Sequence, residues 1–207
     1  MSVATFQLGP LATNSHLFSV GQEAVCIDVG GAPEPILAHL KAQKLTLTAI
    51  LLTHLHFDHL YGVAALAEAT KAPAYAPEGD ACLAGTEACQ GGIWGFPLVP
   101  PYESRPLPSG KAAFGGISCE ILPTPGHTPG GVSFYFPSAK AVFTGDALFY
   151  RSMGRTDFPL GDQATLLKAI REVLFALPDD IVAYPGHGPA TTIGEERREN
   201  PFCGDLF

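Results

Sequence analysis

Residues 53–59, Thr53-His54-Leu55-His56-Phe57-Asp58-His59, carry four side chains able to bind a metal within seven positions. Three histidines and a carboxylate suit a borderline divalent ion such as zinc, with iron or manganese as alternatives. If the chain stays extended, His54 and His56 project on one face. Asp58 and His59 follow at the expected start of a helix, one turn past that pair. Four ligands in seven residues would crowd a single tetrahedral ion. His54 and His56 are therefore expected to serve one metal, and Asp58 with His59 a second beside it. A His-rich solvated turn is the ordinary alternative, but an apolar run on one side and a helical pattern on the other argue against it.

Three more donors lie downstream, each just after a strand-like run. His127 sits in Thr124-Pro125-Gly126-His127-Thr128-Pro129-Gly130-Gly131, where prolines stiffen the loop and glycines let its backbone pass close to a neighbour. Asp146 ends Phe143-Thr144-Gly145-Asp146, and His187 sits in Pro185-Gly186-His187-Gly188-Pro189. His16 and His39 fall in an expected strand and helix and read as structural. The remaining five histidines with Asp58 and Asp146 give three His for one metal, Asp58 with two His for another, and one carboxylate to bridge. That count matches a two-metal site with a bridging water, which yields a nucleophile near neutral pH and polarises a carbonyl or phosphoryl oxygen. Serine-hydrolase, P-loop and G-x-G-x-x-G signatures are absent.

The elements that must position these donors follow from periodicity. Residues 3–8, 15–20 and 23–28 read as an antiparallel meander ending at Asp28-Val29-Gly30-Gly31. A helix is expected over 33–42, with Ile36, Leu37 and Leu40 on one face, then a buried strand at 49–52. Apolar Leu60, Val63, Ala64 and Leu66 predict a helix running from Asp58 to about Ala69. Residues 71–110 are broken by prolines and glycines. A short helix is expected at 79–88, then a loop whose Trp94, Phe96 and Tyr102 either line a pocket or cover the core edge. Strands are expected at 111–114, 117–122, 132–136, 140–145 and 181–184. A helix capped by Asp162 carries Leu166, Leu167, Ile170, Val173 and Leu174. A terminal helical turn spans 194–199, with Phe202 expected to pack on the core. The alternation gives an α/β or layered αβ protein. No domain boundary is legible, so one domain over 1–207 is expected, with two similar halves.

Composition narrows the function classes. A formal net charge of −8, with no Lys or Arg before Lys41, disfavours nucleic acid as a partner and disfavours a secretory or transit peptide. No apolar run approaches the roughly 18 residues needed to span a membrane. A cytoplasmic protein, monomer or homodimer, acting on a small molecule is expected. Its five cysteines are scattered without a C-x-x-C pair, which fits a reducing compartment. Cys26 and Cys119 lie in apolar runs and read as core thiols.

These motifs, in this order over nearly all 207 residues, resemble the metallo-β-lactamase fold superfamily: Asp28, His54-x-His56-x-Asp58-His59, His127, Asp146 and His187. The resemblance implies a four-layer αβ/βα sandwich with two divalent metals, zinc first. It implies that His54, His56 and His127 hold the first metal, that Asp58, His59 and His187 hold the second, and that Asp146 bridges. It places Asp28 behind the ligands as a support. Within the superfamily the chain is most similar to the glyoxalase II group, small relatives of hydroxyacylglutathione hydrolase. Thr-His-Leu-His-Phe-Asp-His, Thr-Pro-Gly-His-Thr-Pro-Gly and Gly-Asp-Ala-Leu-Phe followed by Gly154-Arg155-Thr156-Asp157-Phe158 carry that likeness.

The activity implied is hydrolysis of a thioester by a hydroxide generated at the metals, with Asp58 orienting the nucleophile or accepting its proton. Arg155 falls near where those enzymes place a lysine for the glutathione moiety, and is the substrate-binding candidate. Its ordinary alternative is a surface ion pair with Asp157. The C-terminal helical segment through which full-length hydroxyacylglutathione hydrolases contact glutathione has no counterpart in these residues. An aspartate rather than a cysteine at 146 argues against a β-lactamase, and the missing basic surface argues against RNA-processing members. The rival activity is persulfide dioxygenation at one iron held by His54, His127 and Asp146, in a group that shares these motifs.

Overall fold

The computed structural model describes residues 1–205. It has two six-stranded sheets with helices, the mixed α/β class expected from the sequence. The chain divides into two compact units: Met1–Leu107 with Ala113–Ser118, and Pro108–Ala112 with Cys119 onward.

In the first unit, β1 (Ser2–Leu8), β2 (Thr13–Val20) and β3 (Glu23–Ile27) form the antiparallel meander. α1 (Glu34–Gln43) follows Pro33 at its N-cap and carries Pro35 in its first turn, where a missing N–H costs nothing, and it buries Ile36 and Leu40. β4 (Thr46–Leu51) pairs in parallel with β3 on one side and with β5 (Ala74–Ala76) on the other. Such a central strand is covered on both faces, which is why Ala49, Ile50, Leu51 and Leu52 run without alternation and are all fully buried. β6 (Ser104–Pro106) closes the edge.

The helix expected to start at Asp58 is displaced. Phe57–His59 form a single 3₁₀ turn, and α2 (Val63–Thr70) begins only after Gly62. Asp58 and His59 therefore sit on a tight turn ahead of the helix. The reason is steric: a Cβ at Gly62 would lie 2.0 Å from the carbonyl oxygen of Gly31, so the chain enters α2 in direct contact with the Val29–Gly31 backbone. The helix expected at 79–88 divides into a 3₁₀ segment (Glu78–Leu83) and a one-turn α3 (Glu87–Gln90). The aromatics after it separate. Tyr102 packs on the core, the Phe96 ring lies 5.4 Å from that of Phe57, and Trp94 is exposed.

In the second sheet β7 (Gly110–Phe114), β8 (Ile117–Pro123), β9 (Val132–Phe136) and β10 (Ala141–Gly145) are neighbours in sequence order. A small hairpin, β11 (Leu148–Phe149) and β12 (Ser152–Met153), follows. α4 (Gln163–Ala169) is capped by Asp162, whose Oδ1 accepts the Thr165 N–H at 2.7 Å, and it continues as one π turn over Ile170–Leu174. β13 (Val182–Pro185) pairs in parallel with β10 and antiparallel with β14 (Thr191–Thr192), and α5 (Ile193–Glu199) follows. Leu166, Ile170 and Leu174 fill this core. Phe202, expected in the core, is 55% exposed, and Cys203 is buried instead. Asn200 Oδ1 accepts the N–H groups of both residues, and the resulting turn points the second one inward. Among the described residues no helix is long and apolar enough to cross a membrane.

Gly62 has an ordinary φ of −97°, so replacing it with alanine would normally stabilise by about 0.4–1 kcal/mol. The collision with Gly31 reverses the sign. Gly62→Ala is expected to destabilise by about 1–3 kcal/mol, read as a lower urea midpoint at unchanged slope.

Candidate metal centre

In the first unit the donors are organised by Asp28. It directly follows β3 in the left-handed region at φ 56°, a conformation that Asp tolerates better than most residues. Its buried carboxylate accepts the Thr53 N–H at 2.9 Å on Oδ1, the Thr53 hydroxyl at 2.7 Å on Oδ2, and the His59 Nδ1–H at 2.8 Å on Oδ2. Because the Thr53 proton goes to Asp28, the Thr53 oxygen is left to accept from His54 Nδ1, 3.0 Å away. One carboxylate thus fixes the tautomer of two histidines, directly for His59 and through Thr53 for His54, and leaves Nε2 as the nitrogen of each that could ligate a metal. The ring centroids of His54 lie 4.8 Å from His56 and 4.2 Å from His59. Asp58 Oδ2 accepts the Thr13 hydroxyl at 2.9 Å and lies 3.6 Å from His59 Nε2. The fully buried Asp80 accepts the N–H of Leu55, the residue between the two paired histidines, at 3.0 Å.

In the second unit the rigid loop around His127 meets α4. A Cβ at Gly126 would lie 2.3 Å from the Leu166 nitrogen, and the Gly126 carbonyl accepts the Asp162 N–H at 2.8 Å. The close approach foreseen from the loop's composition is therefore to the first turn of that helix. His127 Nδ1 donates to the Arg155 carbonyl at 2.7 Å, which again directs Nε2 outward. Asp146 Oδ2 lies 3.6 Å from both His127 Nε2 and His187 Nε2.

The donor chemistry fits divalent metals. A separation of 3.6 Å is too long for a hydrogen bond. It is close to the spacing of about 3.4 Å between two donors that each lie about 2.1 Å from one tetrahedral ion. That spacing occurs at Asp58 with His59, and twice around Asp146. Among the described residues the side chains able to hold an ion are His54, His56, Asp58 and His59 of the first unit and His127, Asp146 and His187 of the second.

The Metallo-beta-lactamase superfamily matches residues 8–187. The chain belongs to that family. It is 38% identical over 185 residues to hydroxyacylglutathione hydrolase GloC of Haemophilus influenzae, covering 87% of each protein. Among solved structures it is similar to TTHA1623 in a di-iron-bound form, at 42% identity and a TM-score of 0.87 over 96% of this chain and 99% of that one. It is also similar to BLEG-1 B3 metallo-β-lactamase, at 34% identity and a TM-score of 0.83 over 98% and 99%.

The other residues singled out in the sequence take ordinary places. Arg155 forms a two-pronged pair with Asp157, both contacts at 2.7 Å, and its guanidinium lies 4.0 Å from the Phe158 ring centroid. The Arg155 hydrogen bonds hold the Asp157 carboxyl at about 2. His16 Nδ1 pairs with Thr5 Oγ1, and His39 lies edge-on to Phe6. Cys26 and Cys119 are buried thiols. Burial pushes both up, Cys119 to about 12. Thr13, Thr53 and Asp80 were missed from the sequence. Thr53 alone had a local signal, directly preceding the first histidine.

Asp28→Asn keeps a side chain that tolerates the left-handed backbone but weakens the charge-assisted bonds to Thr53 and His59. It is expected to lower zinc affinity about 10–100-fold, measured by competition with a chromophoric chelator. His39→Ala is expected to leave affinity unchanged.

Proposed function

We propose that residues 1–207 act as one catalytic domain, a binuclear metal-dependent thioester hydrolase of the glyoxalase II type whose substrates are S-acyl derivatives of glutathione-like thiols. The observation that carries the proposal is the donor set, in which His54, His59 and His127 each have Nδ1 anchored by a hydrogen bond. The GloC likeness over 87% of the chain supports the choice of thioester. In this reading His54, His56 and His127 hold one ion, Asp58, His59 and His187 hold the other, and Asp146 is shared. Zinc is the first choice of metal, with iron or manganese as alternatives; a di-iron form of a 42% identical protein keeps iron in view. Divalent ions in such a centre supply an activated water and polarise the thioester carbonyl.

The chain's own residues do the rest. Asp58, steadied by the Thr13 hydroxyl, orients the attacking water and takes its proton. The departing thiolate is a good leaving group and needs no dedicated acid. Arg155 is the candidate contact for the thiol carrier, and a carboxylate of that carrier would replace Asp157 as its partner. Arg155→Ala is then expected to raise KM several-fold with little change in kcat.

The test is metal content per chain, after growth with zinc, iron and manganese all supplied, together with thiol release from S-lactoylglutathione. Two metals per chain and a kcat/KM of about 10⁴ M⁻¹s⁻¹ or more are expected, with Asp146→Ala losing metal and activity together. A single iron per chain, with oxygen uptake on glutathione persulfide and no thiol release, would replace this reading with the dioxygenase. Turnover of a β-lactam without thioester hydrolysis would replace it with the activity named for the 34% identical structure.

A further inference from the structure

Glu196 on α5 is fully buried although it lies in a run of charged residues, Glu195-Glu196-Arg197-Arg198-Glu199. Its Oε1 accepts Arg151 Nη1 at 2.8 Å and Thr191 Oγ1 at 2.7 Å. Its Oε2 accepts the Arg151 backbone N–H and Asn200 Nδ2, each at 2.8 Å. Asn200 Nδ2 also donates to the Ser152 carbonyl at 3.0 Å. A buried carboxylate is tolerated only when its oxygens are satisfied, and four donors hold this one in a single geometry.

The object it grips is the turn of the β11–β12 hairpin, where Arg151 adopts a left-handed φ of 53°. The two stems of that hairpin lead to the unit's three metal donors. One stem leaves directly from Asp146, and the Thr144 hydroxyl donates to the Leu148 carbonyl on it at 2.8 Å. The other runs through Gly154 to the Arg155 carbonyl, which accepts His127 Nδ1. At Gly154 the stems touch: its N–H donates to the Ala147 carbonyl at 3.3 Å. A Cβ there would lie 1.8 Å from the Asp146 carbonyl oxygen and 3.2 Å from His127 Nδ1. Phe149, within the hairpin, stands edge-on to the His187 ring at 6.1 Å. Moving the turn therefore moves Asp146, the carbonyl that sets His127, and the wall of His187.

We infer that Glu196, acting through Arg151, is a positioning residue that sets the spacing of His127, Asp146 and His187 for metal. The inference rests on the metal-centre reading above, and its test separates the two. Arg151→Met removes the guanidinium and leaves Glu196 with its other donors. Glu196→Gln keeps the shape and removes the charge. Lys140→Met, which breaks the exposed pair with Asp180 in the same unit, is the control for losing an ion pair. Zinc affinity by chelator competition is expected to fall about 10–100-fold in the first two variants and to stay within about 2-fold in the control. In metal-free protein the His127 Nδ1–H resonance, assigned by its loss in His127→Gln, is expected to exchange faster with solvent in Arg151→Met than in the parent. Loss of a purely stabilising ion pair would lower the melting temperature without moving that proton.

If Glu196→Gln fails to fold, Arg151→Met decides. A folded Arg151→Met protein with parental zinc affinity and an unchanged His127 proton would overturn the inference. If the parent itself bound no zinc, iron or manganese, the metal-centre reading would fail, and the inference with it. A parent that binds metal while Arg151→Met leaves the proton unmoved would sink the positioning role alone.

Discussion

The buried carboxylate of Asp28 is the constraint on which the first unit's chemistry depends. A carboxylate taken out of water is costly unless donors surround it. Here they are the Thr53 amide, the Thr53 hydroxyl and the His59 ring. Those three bonds require the end of β3 and the corner after β4 to lie side by side, which the parallel pairing of the two strands supplies. They also require the chain to turn sharply at Asp28, hence its left-handed φ. Removing the side chain that accepts these bonds would leave two histidines without a fixed tautomer. The histidine motif is therefore only half of the device, and the aspartate 26 positions before His54 is the other half.

The second unit orients its histidine differently. His127 Nδ1 meets a backbone carbonyl, that of Arg155, rather than a carboxylate. A carbonyl fixes the tautomer as well as a carboxylate does but raises ligand basicity less. Because the anchor is backbone, it cannot be removed by a substitution at Arg155. It can be moved only by shifting the segment that carries it, which is where the hairpin turn and its grip by Glu196 act.

Spacing made the candidate donors legible, because two-residue alternation and strand-end loops are local properties of a sequence. The meander, the central strand and the Asp162 cap were legible for the same reason. Partners that meet across long stretches of chain were not. Thr13 reaches Asp58 across 45 residues, Asp80 reaches Leu55 across 25, and Arg151 reaches Glu196 across 45. No period connects them. The start of α2 was misplaced because Leu60, Val63 and Leu66 keep a helical spacing while Leu60 belongs to the turn before the helix. Glu196 lay in a run of charged residues that reads as solvated, and only the folding of α5 against the hairpin turns one of them inward.

Substrate choice must come from outside the ligand set. The chain is 38% identical to a hydroxyacylglutathione hydrolase and 34% identical to BLEG-1 B3 metallo-β-lactamase, each over most of its length. The two identities differ by only four points, so the preference for a thioester rests on the motifs and the GloC likeness together. Side chains that the scaffold does not need are where relatives of one architecture can differ. Arg155 is one, held only by its exposed neighbour Asp157 and by Phe158. Trp94 is another, exposed on a glycine-rich loop whose Phe96 packs on Phe57 in the middle of the histidine motif. Neither residue stabilises the core, so each is free to change without loss of fold, and differences in specificity between relatives of one architecture can accumulate at such positions.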